Sequence, residues 1–155
     1  QFDPKEWEVP YGASGRPRDP YADAQGRVWF VGQAGNYIAY LDSKSGAFKK
    51  FDIDSGTNPH KLVVEKGMVW FTGNANGRIV RMDPATGKLT TFMMPDATVR
   101  DPHTMTFDRK GDAWFTAQGA GVVDLRASAD GEPLYASQGF RRTSDPAMRL
   151  SLPPG

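Results

Sequence analysis

Three Trp-Phe pairs, Trp29-Phe30, Trp70-Phe71 and Trp114-Phe115, recur at intervals of 41 and 44 residues. A chain that repeats itself at such a period folds as a row of similar units, each burying its apolar face against the next. Each pair follows a glycine at the same offset, Gly26, Gly67 and Gly111, and an upstream Asp-Pro or Asn-Pro step: Asp19-Pro20, Asn58-Pro59 and Asp101-Pro102. Downstream, Ile38 to Asp42 corresponds to Ile79 to Asp83, and each run closes in a turn, at Gly46 or Gly87. Phe48 to Ile53 and Leu89 to Met94 complete the unit, which makes four short extended runs per repeat.

Every connector carries turn residues, and every apolar run is short and rich in Val, Ile, Phe, Trp and Thr, so the chain reads as all-β with no helix of consequence. A four-stranded repeat of about 40 to 45 residues is the blade of a β-propeller, whose sheets stand radially around a channel. From the channel outward, the strands of the second unit are expected at Lys61 to Glu65, Met68 to Thr72, Ile79 to Met82 and Leu89 to Met94. The large Trp and Phe side chains are expected between neighbouring blades as core.

The blade units run at about 11–54, 55–96 and 97–140. Residues 1–10, through Trp7-Glu8-Val9-Pro10, resemble the outer strand of a preceding blade. In the third unit the strand Gly121 to Leu125 and the turn Asp130-Gly131 keep the pattern, and residues 141–155 read as the first strand of a further blade or an irregular tail. The 155 residues thus amount to about three and a half blades, where closure normally needs at least four. The apolar faces of the end blades then call for a cover, either another copy of the chain or another protein.

Composition narrows the partners. With no cysteine there is neither a disulfide framework nor a thiolate metal site. The 19 Lys and Arg residues are interspersed with 18 Asp and Glu, so no field draws the protein to nucleic acid or an anionic membrane. No apolar run is long enough for membrane insertion as a helix. A start at Gln1 implies trimming, and trimming by signal cleavage makes the expected setting periplasmic or secreted.

At the level of whole motifs, Arg16-Pro-Arg-Asp-Pro20, Gly26 to Phe30, Asn36 to Asp42, Asn58-Pro-His60, Val69 to Asn74, Arg81 to Gly87, Arg100 to His103 and Trp114 to Gln118 resemble the virginiamycin B lyase, or streptogramin lyase, family. The likeness spans about residues 6 to 120. It implies a seven-bladed propeller and a carbon–oxygen lyase that opens cyclic depsipeptide antibiotics with a divalent metal such as Mg2+ and a histidine base. The family's clustered histidines and acidic metal ligands belong to later blades than those present. Here there is no His-x-His pair, and the Trp-Phe-Thr runs lack a following glutamate. No metal ligand is assigned.

The only histidines, His60 and His103, occupy equivalent repeat positions and are the candidates for a catalytic base. The loop before the innermost strand and the loop between the second and third strands share one face of a propeller. This gathers Arg18, Asp19, Tyr21, Asn58, His60, Arg100, Asp101 and His103 with Asn74 and Gln118 as candidate ligand-binding residues. Arg18 and Arg100 offer planar forks for a carboxylate or phosphate. Asp19, Asn58 and Asp101 also suit a structural role, since Asp or Asn before Pro builds turns. Two functions follow: a binding module for a small molecule or protein at the channel mouth, or the metal-dependent lyase.

Overall fold

The computed structural model describes residues 3–94, 100–118, 141–142 and 148–149. Two antiparallel four-stranded sheets dominate. Blade A contains β1 (Pro17–Ala22), β2 (Arg27–Gly32), β3 (Tyr37–Asp42) and β4 (Phe48–Asp52), paired in chain order. Blade B repeats this with β5 (Pro59–Glu65), β6 (Met68–Gly73), β7 (Arg78–Met82) and β8 (Leu89–Met93). The hairpin of β9 (Arg100–Phe107) and β10 (Ala113–Gln118) forms the inner half of blade C. Two short strands, β11 (Arg141–Arg142) and β12 (Met148–Arg149), pair with each other. The expected strand at 121–125, the turn at Asp130-Gly131 and most of the tail lie outside the described residues. The only helical piece among the described residues is a 3-10 turn at Ala13–Gly15.

The chain is therefore all-β, built of β-propeller blades. The innermost strands adjoin one another, β1 beside β5 and β5 beside β9, which fixes the radial arrangement. Alternation along the strands explains the packing: neighbouring residues of a strand point to opposite faces of the sheet. Trp29, Val31 and Ile38 of blade A meet Leu62, Val69, Phe71, Val80 and Met82 of blade B in one buried cluster. On the opposite face of blade B, Val63, Trp70, Ile79 and Phe92 meet Met105, Phe115 and Ala117 of blade C. The Trp and Phe of one pair thus serve different interfaces, and Trp29, Trp70 and Phe71 have almost no solvent exposure.

The far face of blade A carries Phe30, Tyr37 and Ala39, all buried, with Val9, Tyr11 and Phe48 packed against them. Tyr11 meets Tyr37 and Phe48 edge-on, at ring-centroid distances of 5.3 and 6.2 Å. The stretch Trp7 to Pro10, expected as an outer strand, is not in a strand. A strand exists only where an edge pairs with it, and here apolar packing of Val9 and Tyr11 onto a sheet face takes the place of a hydrogen-bonded ladder.

Two carboxylates hold the Trp residues in register. Asp23 accepts from the Trp29 indole Nε1 at 2.8 Å, and Asp108 accepts from Trp114 Nε1 at 3.1 Å. Six residues before Trp70 blade B has Val64, which pairs with Val69 as Ala22 pairs with Val28, because its first hairpin is tighter: Lys66 and Gly67 alone turn the chain, at φ 48° and 78°. That pair of left-handed residues is the two-residue turn that matches the twist of the strands.

Candidate functional site

The inner edge of the three blades is shaped by one backbone device used three times. Asp19, Asn58 and Asp101 all lie in the left-handed region, at φ 55°, 46° and 59°. Asp and Asn tolerate this conformation better than other side-bearing residues, which is the local reason for their presence before proline. The pairing register slips at the same place in each blade, between Arg18 and Tyr21, Pro59 and Leu62, and across the segment of β9 from Pro102 to Met105. Each innermost strand is therefore bulged, and the bulge brings His60 and His103 to the inner edge.

The two imidazoles meet across the blade boundary, with ring centroids 3.5 Å apart and planes 38° from parallel. Both residues are half-buried. The His60 imidazole is held below its ordinary pKa by burial first, then by neighbouring His103 and Arg18, with Asp19 and Asp101 acting in the opposite sense. Arg18 donates to the Gln33 side chain at 3.0 Å. Among the described residues no carboxylate forms an ion pair with it.

The acidic residues nearby are engaged in joining blades. Asp19 accepts from Lys61 Nζ at 3.0 Å and from the Leu62 backbone N–H at 2.6 Å, so a blade A carboxylate grips the innermost strand of blade B. Asp101 accepts from the Asn74 side chain, linking blades C and B. The Asn58 backbone N–H donates to Asn36 of blade A at 2.8 Å. Thr72 is the hub of a further link: it accepts from the Lys61 N–H at 3.0 Å and donates to the His103 carbonyl at 3.0 Å. Thr116 repeats half of this, accepting from the Thr104 N–H at 3.2 Å.

The sequence-based candidates separate accordingly. The structure brings Arg18, His60 and His103 together, with Asp19 and Asp101 close enough to act on His60. Asp19, Asn58, Asn74 and Asp101 sit at the inner-edge face but contribute to joints between blades. Arg100 is exposed at the start of β9, where it pairs through the backbone with Gln118. Tyr21 leaves the group, because the bulge after Arg18 turns its ring into the interface, where it packs with both core clusters and donates to the Val64 carbonyl at 3.2 Å. Lys61 and Thr72 were not singled out in the sequence. The recurring Thr after Trp-Phe in blades B and C was the available signal for the second.

A divalent metal fits these residues poorly. Among the described residues there is no group of three or more His, Asp or Glu side chains able to hold one. The two carboxylates nearest the imidazoles already accept from Lys61, Leu62 and Asn74.

No protein-family model matches the sequence, and no curated protein matches it. Solved structures do. A streptogramin B lyase structure superposes with a TM-score of 0.73 and 26% identity, over 83% of this chain and 42% of that one. A catalytically inactive H270A virginiamycin B lyase from Staphylococcus aureus, solved with quinupristin, gives a TM-score of 0.73 at 24% identity, over 83% of this chain and 43% of its own. The extracellular domain of a one component system from B. thetaiotaomicron shares the fold alone, with a TM-score of 0.60 and 13% identity over 80% of this chain and 16% of that chain. The present chain spans less than half the length of the two lyases. With the repeated motifs and the blade geometry, these matches give the chain the β-propeller fold of the virginiamycin B and streptogramin B lyase structures.

Proposed function

We propose that the chain belongs to a ligand-binding propeller whose binding surface is the inner-edge face, where β1, β5 and β9 converge. The observation that carries this is the contact of His60 with His103 across a blade boundary beside Arg18. Half-buried titratable groups gathered at the polar end of a rigid β scaffold are where recognition is usually placed. The carboxylates there hold the scaffold, which leaves imidazole and guanidinium donors to face a ligand.

The test is calorimetric titration with quinupristin, the compound present in one lyase structure, and with a panel of small acidic molecules. At least one is expected to bind, and Arg18→Gln, His60→Gln and Arg100→Gln introduced together weaken it by about tenfold or more. Unchanged affinity in that variant defeats the inner-edge site.

The likeness to a streptogramin B lyase favours a second reading, elimination across a cyclic ester bond, with His60 or His103 taking the proton. The described residues provide no metal-ligand set for it, so any such chemistry would draw on groups beyond them. Product formation from a cyclic depsipeptide that disappears in His60→Gln or His103→Gln would support this reading, and absence of product would count against it.

A further inference from the structure

We propose that the histidine pair forms a proton-linked oxyanion site, in which a small carboxylate or phosphate-like anion binds at Arg18, His60 and His103 and the imidazole pair takes up a proton with it. The proposal rests on the reading that the inner-edge face binds ligands, and it names the chemistry of the ligand and the condition for binding.

The charged groups around the pair come from all three innermost strands: Arg18 and Asp19 from β1, Lys61 from β5, and Asp101 with the exposed Arg100 from β9. Asp19 is matched by Lys61 at 3.0 Å. Asp101 is held by the neutral Asn74 side chain and Arg18 by the neutral Gln33 side chain, and the two act on His60 in opposite senses. Thr72 of β6 has both hydroxyl functions committed, to Lys61 and His103 backbone atoms. His103 Nδ1 lies 3.4 Å from its neighbour Thr104 Oγ1.

A proton added to either ring places a cation against a second imidazole whose centroid is 3.5 Å away, and on His60 Arg18 also acts against it. Asp19 and Asp101 offset that charge in part, though each already accepts hydrogen bonds, from Lys61 and Leu62 and from Asn74, and a group that meets the imidazolium N–H directly would offset it further. An oxyanion does so, and it is also what a guanidinium fork and an imidazolium N–H recognise well. Binding of the anion and of the proton therefore favour each other, and each raises the affinity for the other by the same factor. At neutral pH without anion, His60 stays uncharged, held below its ordinary pKa chiefly by burial.

The experiment follows the Cε1–H resonances of His60 and His103 by NMR during titration with formate and, separately, sulfate, at about pH 5.5 and about pH 7.5, either side of the ordinary imidazole midpoint. Formate and sulfate distinguish a planar carboxylate from a tetrahedral oxyanion. The expected result is that one or both anions move the two resonances at the lower pH and raise the midpoint of their titration. Affinity falls by up to roughly tenfold per pH unit above that midpoint, as one linked proton requires. His103→Gln is expected to flatten the pH dependence, and Arg18→Gln to weaken binding at both pH values while the slope remains.

Imidazole resonances indifferent to both anions at both pH values overturn the proposal. So does anion binding with equal affinity at the two pH values. A panel ligand that binds the inner-edge face without pH dependence overturns the proton link and leaves the binding function standing. Binding that survives the Arg18, His60 and Arg100 triple variant removes the binding surface itself.

Discussion

Asp23 shows how much a single side chain does in this repeat. Burial pushes its carboxyl up, yet hydrogen bonds from the Trp29 indole, from the Arg27 backbone and side chain, and from the Gln25 backbone outweigh burial and hold it below the usual carboxylate range. Asp23→Ala leaves the Trp29 N–H without its partner next to the core and is expected to cost about 1–3 kcal/mol in a urea titration. The pH dependence has two parts. A depressed carboxylate stabilises fully above its unfolded value near pH 4 and loses that stabilisation as pH falls through the lower folded value. Asp23 acts this way, as do Asp42 and Asp83, which are held down chiefly by backbone N–H groups of their own turns. His60 contributes from the other side: its lowered pKa means the unfolded chain takes up the proton more readily, so stability declines as pH drops below about 6.5 and the decline ends at the folded value. Without added anion, urea midpoints are expected to fall first below about pH 6.5 and again below about pH 4; a profile flat from 7 to 5 contradicts the His60 part.

Why residue roles were only partly legible is also visible at this scale. His60 and His103 announced themselves by sharing a repeat position, and the structure puts them in contact. Tyr21 shared the same polar neighbourhood in sequence, but a bulge between Arg18 and Tyr21 sends its side chain into the core. Spacing does not reveal a one-residue slip of register, and such a slip exchanges the two faces of a strand. Asp23 and Asp108, each six residues before a Trp, carried a signal that blade B masks by turning with Lys66 and Gly67 instead.

Among the elements, the innermost strands carry both the candidate site and the joints between blades. Thr72 in β6 bonds to β5 and β9 at once and is fully buried. Blade A has Val31 at this repeat position, so the valine shape is tolerated there and Thr72→Val isolates the hydroxyl. Loss of both hydrogen bonds leaves the Lys61 N–H and the His103 carbonyl short of a partner, and about 1–3 kcal/mol of stability is expected to go with them. The same substitution loosens the backbone beneath His103, so altered His103 resonances are expected in a folded Thr72→Val protein. The strands themselves were legible because alternation, turn glycines and the Trp-Phe period agreed; the Thr hub was not, since a hydroxyl that bridges three strands looks in sequence like any β-propensity residue.

For the whole molecule, the reckoning of about three and a half blades implied two bare apolar faces. On the blade A side the chain covers its own face with Val9 and Tyr11, and Lys50 lies 5.8 Å from the Tyr11 ring. Association through that face must first displace this segment. Val9→Ser with Tyr11→Ser is expected to uncover Phe30, Tyr37 and Phe48 and to produce concentration-dependent self-association in sedimentation velocity, while the unsubstituted chain keeps that face closed. Equal sedimentation of the two at every concentration would show that the segment is not the cover.

The grip of Asp19 on Lys61 and Leu62, and of Asp101 on Asn74, means that part of each blade's hold lies in its neighbour. Such a stack behaves as a one-dimensional chain of nearest-neighbour couplings, in which the gain from adding a blade depends on the one already in place. Blade B, gripped from both sides, is the thermodynamic keystone, and disorder enters from the ends. Because the paired imidazoles span the B–C boundary, the binding surface we propose there exists only while that coupling is made, and a ligand held on it would act as a clasp between blades as much as a cargo.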